Sequence, residues 1–248
     1  MKKQIPNLIT LGNLLCGVLA CRFALLCNIE YAALFILLGI VLDFFDGLAA
    51  RLLHVSSPLG KELDSLADLV TSGMAPCFIL FIYLSVFASC YNVDIHLIKY
   101  VAFLLPLFSA YRLAKFNLDT RQSHSFRGLP VPSNALIWVS LGLLYFPTAI
   151  SNIAVISTEW IGTFLNSLEG LICVLLLELI CCWLMVSEVP LFGLKFKNLS
   201  WKENKVRFIF LSLAALLLVL FGVASLPMII IYYILLSLIT RKQTLAEE

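Results

Sequence analysis

Asp43, Asp46, Asp64 and Asp68 stand in the pattern D-x2-D-G-x2-A-R-x8-G-x3-D-x3-D, within stretches that are otherwise apolar. An aspartate at the centre of a bilayer costs about 3 kcal/mol on insertion scales, so four in one neighbourhood call for a compensating cation. Carboxylate oxygens with no histidine or cysteine among them suit a hard divalent ion, Mg2+ or Mn2+. Asp43 and Asp46 are spaced i, i+3, and Asp64 and Asp68 are spaced i, i+4, so each pair shares one helix face. Intramembrane carboxylates also mark ion pathways and proton relays, which makes a cation transporter the rival reading.

The residues between the aspartates favour an anionic ligand beside the cation. Gly47 follows Asp46 inside a helix, where glycine costs about 1 kcal/mol but lets a planar group or a backbone approach. Gly60 opens similar room one turn before Asp64, and Ala50 keeps the face narrow. Arg51 adds a fixed positive charge suited to phosphate oxygens.

The elements that position these groups are membrane helices. The chain is 61% hydrophobic and 13% charged, with a mean hydropathy of +1.00, a composition that excludes disorder and argues against a soluble domain. Eight apolar stretches run over about 8–27, 31–53, 59–89, 97–118, 131–150, 168–189, 208–221 and 226–240, the last two short enough for one re-entrant hairpin. The first lacks a convincing signal-cleavage site. With the N-terminus in the cytoplasm, 15 of the 17 Lys and Arg residues fall on cytoplasmic segments: Lys2, Lys3, Arg51, Lys61, Arg112, Lys115, Arg121, Arg127, Lys195, Lys197, Lys202, Lys205, Arg207, Arg241 and Lys242. The opposite loops carry Glu30, Asp94, Glu159 and Glu169. The positive-inside rule then places both termini in the cytoplasm and makes the number of spans even.

The second and third stretches form an antiparallel hairpin on this reading. At 1.5 Å per residue, Asp46 and Asp64 lie about 8–9 Å from its cytoplasmic end and Asp43 and Asp68 about 12–15 Å in. All four converge in the inner leaflet, at the depth of a phospholipid phosphate.

This signature resembles that of the CDP-alcohol phosphotransferases, integral membrane enzymes that join a CDP-activated group to an alcohol. The resemblance implies an all-α, polytopic membrane helix bundle with a six-helix core over 1–190. It leaves 191–248 as a basic cytoplasmic loop and two further helices, for about eight spans. It also implies that the four aspartates hold one or two divalent ions against the CDP pyrophosphate. Asp68 would act as base for the attacking alcohol, and Gly47, Ala50 and Arg51, with Gly60, would line the nucleotide site. Ile5 to Thr10 (IPNLIT), Arg112 to Asn117 (RLAKFN) and Arg127 to Pro132 (RGLPVP) are similar to the branch using CDP-diacylglycerol and L-serine. That branch has arginine where Lys115 stands. It would make phosphatidylserine and CMP at a bacterial inner membrane, as a homodimer with its site facing the cytoplasm. A phosphatidylglycerophosphate-forming enzyme is the alternative within the family.

Other polar residues have plainer readings beside these. Asn7 and Thr10 cap the first helix or contact nucleotide, and the two roles are compatible. Arg112 and Arg127 are topology markers or partners for the serine carboxylate. His54 reads as a solvated turn residue, and Glu178 as a buried protonated carboxyl hydrogen-bonded to a neighbour. The eight cysteines show no C-x2-C pairing and read as small buried hydrophobes. A net charge of +2 implies no nucleic-acid partner; the basic loops face anionic lipid headgroups.

Overall fold

The computed structural model describes residues 4–55, 57–90, 97–118, 126–146, 155–191 and 201–240. Helix α1 (Gln4–Leu25) and α2 (Ile29–Leu52) form a hairpin, followed by α3 (Pro58–Asp68). A π-helical turn (Leu69–Met74) joins α3 to α4 (Ala75–Cys90). A 3-10 turn (Ile98–Phe103) leads into α5 (Leu104–Leu118); then come β1 (Phe126–Arg127), α6 (Val131–Tyr145), α7 (Glu159–Leu165) and α8 (Leu168–Val186). The chain continues through β2 (Pro190–Leu191) and α9 (Trp201–Phe221), and a 3-10 turn (Gly222–Ala224) precedes α10 (Ser225–Ile239). β1 and β2 pair antiparallel, Phe126 opposite Leu191 and Arg127 opposite Pro190.

The protein is an all-α polytopic membrane bundle. Five helical segments are long and apolar enough to cross a bilayer: Gln4–Leu25, Ile29–Leu52, Pro58–Cys90, Leu168–Val186 and Asn204–Ile239. Val131–Tyr145 is apolar but shorter. Within Asn204–Ile239 the chain turns back at Gly222, whose φ is +54°. Phe210 of α9 then stacks on Tyr232 of α10, so the last two apolar stretches form a helical hairpin. The expected boundary after residue 190 falls inside β2. Lys2, Lys3, Asp94, Arg121, Lys195, Lys197, Arg241 and Lys242, which the charge count used, lie outside the described residues.

Burial is inverted relative to a soluble bundle. Helix α1 buries Thr10, Asn13, Gly17 and Ala20 and exposes Leu8, Leu11, Leu15 and Val18. Lipid solvates large apolar side chains as well as a protein core does, so small and polar residues collect where helices meet. At Gly17 and Gly39, a Cβ would collide with Thr71, which pins α1 and α2 to the π turn at backbone distance. Among the described residues three apolar clusters form the core, one among α1, α2, α4 and α6, one mainly among α4, α5, α6 and α8, and a small one of Leu191, Phe210 and Tyr233.

The chain ends its first two helices with the same device. Asn28 N–H donates to Phe23 O at 2.9 Å and Val55 N–H to Ala50 O at 3.0 Å, with Cys27 and His54 in the left-handed conformation between. Ser57 Oγ accepts from Gly60 N–H at 3.0 Å and Pro58 opens α3, so the short α2–α3 link is fixed at both ends.

Candidate active site

Two helices bring the acidic residues together. Asp43 and Asp46 face inward from α2, Asp64 comes from α3, and an oxygen of each lies within 4.8 Å of the others. Hard divalent ions with bonds of about 2.0–2.6 Å bridge oxygens at that spread. Asp64 Oδ1 is buried with no hydrogen-bond partner, an acceptor left for a cation. Like charges this close repel, and a cation between them relieves that repulsion. These side chains therefore fit a divalent ion.

Asp68, the last residue of α3, where the π turn begins, is outside that 4.8 Å group, and its charge interacts with those of the other three. Its Oδ1 accepts from Asn13 Nδ2 at 3.3 Å. A π turn widens the helix by one residue and re-aims the side chains beside it, a local distortion frequent at functional sites. Asn13 is itself fixed: it is fully buried, and Thr71 Oγ1 donates to its carbonyl at 3.0 Å. Thr10, one turn earlier on α1, donates to Asp46 Oδ2 at 2.6 Å, a short charge-assisted bond. So α1 supplies an orienting partner to one aspartate of each pair.

A cavity of about 210 Å³ opens beside the carboxylates, lined by Asn7, Thr10, Asp46, Gly47, Ala50, Gly60 and Asp64 among others. Five of the six residues expected at a nucleotide are on this wall. The sixth, Arg51, is not: its Nε donates to Gly47 O at 2.9 Å along its own helix, with the side chain exposed. Gly60 is needed for shape, since a Cβ there would sit 3.1 Å from Ser57 Oγ and 3.2 Å from Asn7 Oδ1. At Gly47 a Cβ would meet only Arg51, at 3.9 Å, so the space above it is open.

The two arginines considered for the acceptor lie together at the same end of the bundle. Arg112 is 7% exposed, its guanidinium is 5.7 Å from the Phe116 ring centre, and its charge interacts with that of Asp68. Its Nε has no partner. Arg127 is held by the β1–β2 pair and by Gly128, whose N–H donates to Val189 O at 3.0 Å. Lys115 and Arg127 both reach Glu188, at 2.9 and 3.1 Å.

Sequence reasoning missed Asn13, Lys61 as a cavity residue, and Glu188. Asn13 had a legible signal, a polar residue three places after Thr10 on an apolar helix. Lys61 lines the cavity while its Nζ donates to Asn117 O at 2.8 Å, tying α3 to α5. Glu188 carries no local signal, because only the β1–β2 pairing brings it to Arg127. Glu178 is fully buried in α8 as expected, but neither carboxyl oxygen has a partner among the described residues, so the expected hydrogen bond to a neighbour is not made.

Comparison with known proteins bears on the same residues. The sequence profile described as CDP-alcohol phosphatidyltransferase matches residues 3–165, which include all four aspartates and Arg112 and Arg127. A CDP-diacylglycerol--serine O-phosphatidyltransferase of Bacillus subtilis is 39% identical over 151 residues, 59% of this chain and 80% of that protein. Proteins of the same name from Helicobacter pylori and Saccharomyces cerevisiae are 36% and 41% identical, over 56% and 47% of this chain. In those two, the match covers only 57% and 42% of the relative's length. With its aspartate signature and surrounding helices inside the matched region, this chain belongs to the CDP-alcohol phosphatidyltransferase family.

Proposed function

We propose that the protein transfers the phosphatidyl group of CDP-diacylglycerol to the hydroxyl of L-serine, giving phosphatidylserine and CMP. The observation that carries this reading is the juxtaposition of a carboxylate trio, an open cavity beside it and a cationic pocket next to Asp68. The names of the Bacillus, Helicobacter and Saccharomyces relatives support serine as acceptor. Mg2+ or Mn2+, held by Asp43, Asp46 and Asp64 with Asp68 adjoining, would supply charge neutralisation at the pyrophosphate.

The chain's own residues do the rest. Asn7, Thr10, Gly47, Ala50 and Gly60 form the wall for the nucleotide, and Lys61 and Arg51 add positive charge near its phosphates. The serine hydroxyl oxygen bonds to the phosphorus bearing the diacylglycerol as the bond from that phosphorus to the CMP oxygen breaks. Asp68 takes the hydroxyl proton, with Asn13 fixing the carboxylate's orientation. Arg112 and Arg127 receive the serine carboxylate. The catalytic core extends over 1–190, and the C-terminal hairpin flanks it. The acyl chains lie among lipid-facing helices, and the site opens to the cytoplasm of a bacterial inner membrane; the protein works as a homodimer.

The three cations Arg112, Lys115 and Arg127 favour a second reading, in which the acceptor carries a phosphate and the product is phosphatidylglycerophosphate. Purified protein in detergent with CDP-diacylglycerol and labelled L-serine, glycerol 3-phosphate or inositol, each alone, separates the two. Label entering lipid from serine is the expected result. Label entering only from glycerol 3-phosphate overturns the serine assignment.

A further inference from the structure

At the edge of the cationic pocket is an unexpected carboxylate. Glu188 follows the end of α8 and contacts two cations at once, Oε1 with Lys115 Nζ at 2.9 Å and Oε2 with Arg127 Nη1 at 3.1 Å. Arg112, in the same pocket wall, is buried and keeps an unpartnered Nε. The pocket thus has a deep cation beside Asp68 and an acidic group at its mouth, where Glu188 is 52% exposed.

We infer that Glu188 recognises the ammonium group of the acceptor, so that the pocket selects a zwitterionic amino alcohol over an anionic one. The inference rests on the serine reading of the preceding section and deepens it. Three cations alone would serve a phosphate better than a carboxylate. Glu188 offsets part of that charge and repels a dianion, while it attracts a positive group held a few ångströms from the acceptor's carboxylate. Serine has that layout: its carboxylate pairs with Arg112, its ammonium with Glu188, and its hydroxyl points to Asp68. The closed pocket holds only about 10 Å³ of free space, enough for one water. Serine therefore enters by drawing the exposed Glu188 carboxylate off one of its cations, a cheap exchange because exposed ion pairs hold weakly. Glu188 then closes over the ammonium.

The test compares L-serine with 3-hydroxypropanoate, which keeps the hydroxyl and carboxylate but lacks the ammonium, in CDP-diacylglycerol micelles. Wild-type protein should prefer serine in kcat/KM by roughly tenfold or more, the effect of one charge-assisted contact. Glu188→Gln should lose that preference by weakening serine alone, through KM, with the KM for CDP-diacylglycerol unchanged. Glu188→Asp should keep the preference. Equal use of the two acceptors by the wild type overturns the inference without any variant, as does a Glu188→Gln loss that falls equally on both. A wild type that transfers to neither but uses glycerol 3-phosphate overturns the serine reading itself, and the inference with it.

Discussion

Asn13 on α1 and Asp68 at the end of α3 meet across a buried helix interface, Nδ2 donating to Oδ1 at 3.3 Å. The bond turns α1 from a packing partner into part of the site. A carboxylate that must face a hydroxyl gains from a neutral donor that fixes one oxygen and leaves the other accessible.

Asn13→Ala should therefore slow transfer more than it weakens binding. A hydrogen bond to a charged group is worth about 1.5–3 kcal/mol, which corresponds to roughly 10- to 150-fold in kcat. Steady-state rates with both substrates saturating check this. A variant that folds and keeps wild-type kcat would remove Asn13 from the positioning of Asp68.

Thr10 plays a different part, because its partner Asp46 belongs to the carboxylate trio. Thr10→Val keeps the shape of the side chain and deletes the 2.6 Å hydrogen bond. Such outer partners of metal ligands typically contribute about 10- to 100-fold in metal affinity. Titration of activity with Mn2+ should show a half-saturating concentration raised within that range, and an unchanged titration would contradict the role.

Gly128 makes a conformational prediction. Its φ is +73°, and a Cβ there would lie 2.7 Å from Met185 O and 2.8 Å from Ser187 O. Gly128→Ala should push β1 away from the end of α8 and displace Arg127 from Glu188. The left-handed conformation alone costs an alanine about 1–2 kcal/mol. A lowered unfolding midpoint together with a raised KM for serine is the expected pair of results; a serine KM equal to wild type would show that the turn does not set the pocket.

His54 offers the opposite case, a residue whose replacement should help. It occupies the left-handed position that ends α2, at φ +51°. His54→Gly should relieve strain and stabilise by up to about 1 kcal/mol, less what the freer unfolded chain regains. Thermal unfolding in detergent measures it, and a lower midpoint would mean that the imidazole makes a compensating contact.

The parts of the site that repeat along the chain were legible before the structure. Helical spacing and the cost of buried carboxylates singled out Asp43, Asp46, Asp64 and Asp68, of which the structure gathers the first three, and the apolar stretches located the helices that carry them. The π turn at Leu69–Met74 was not legible, because its residues read as ordinary apolar helix and its Thr71 meets Gly17 and Gly39 only in the folded bundle. That turn begins directly after Asp68, the last residue of α3. Arg51 read as a phosphate ligand from its charge and place in the signature; its Nε bond to the Gly47 carbonyl, one turn back on the same helix, had no separate signal. Glu188 depends on two strands of two residues each, too short for any alternating pattern to mark.

The central claim is that these carboxylates carry out phosphatidyl transfer, and serine-dependent CMP release tests it most directly. With CDP-diacylglycerol saturating and Mg2+ or Mn2+ present, wild-type protein should release one CMP for each phosphatidylserine formed, and a chelator should stop both. Asp64→Ala and Asp68→Ala, checked for wild-type unfolding behaviour, should release CMP at least about 100-fold more slowly, the scale of a lost base or ligand. Near-normal CMP release from a folded Asp68→Ala protein, or wild-type release that persists under exhaustive chelation, would contradict the account.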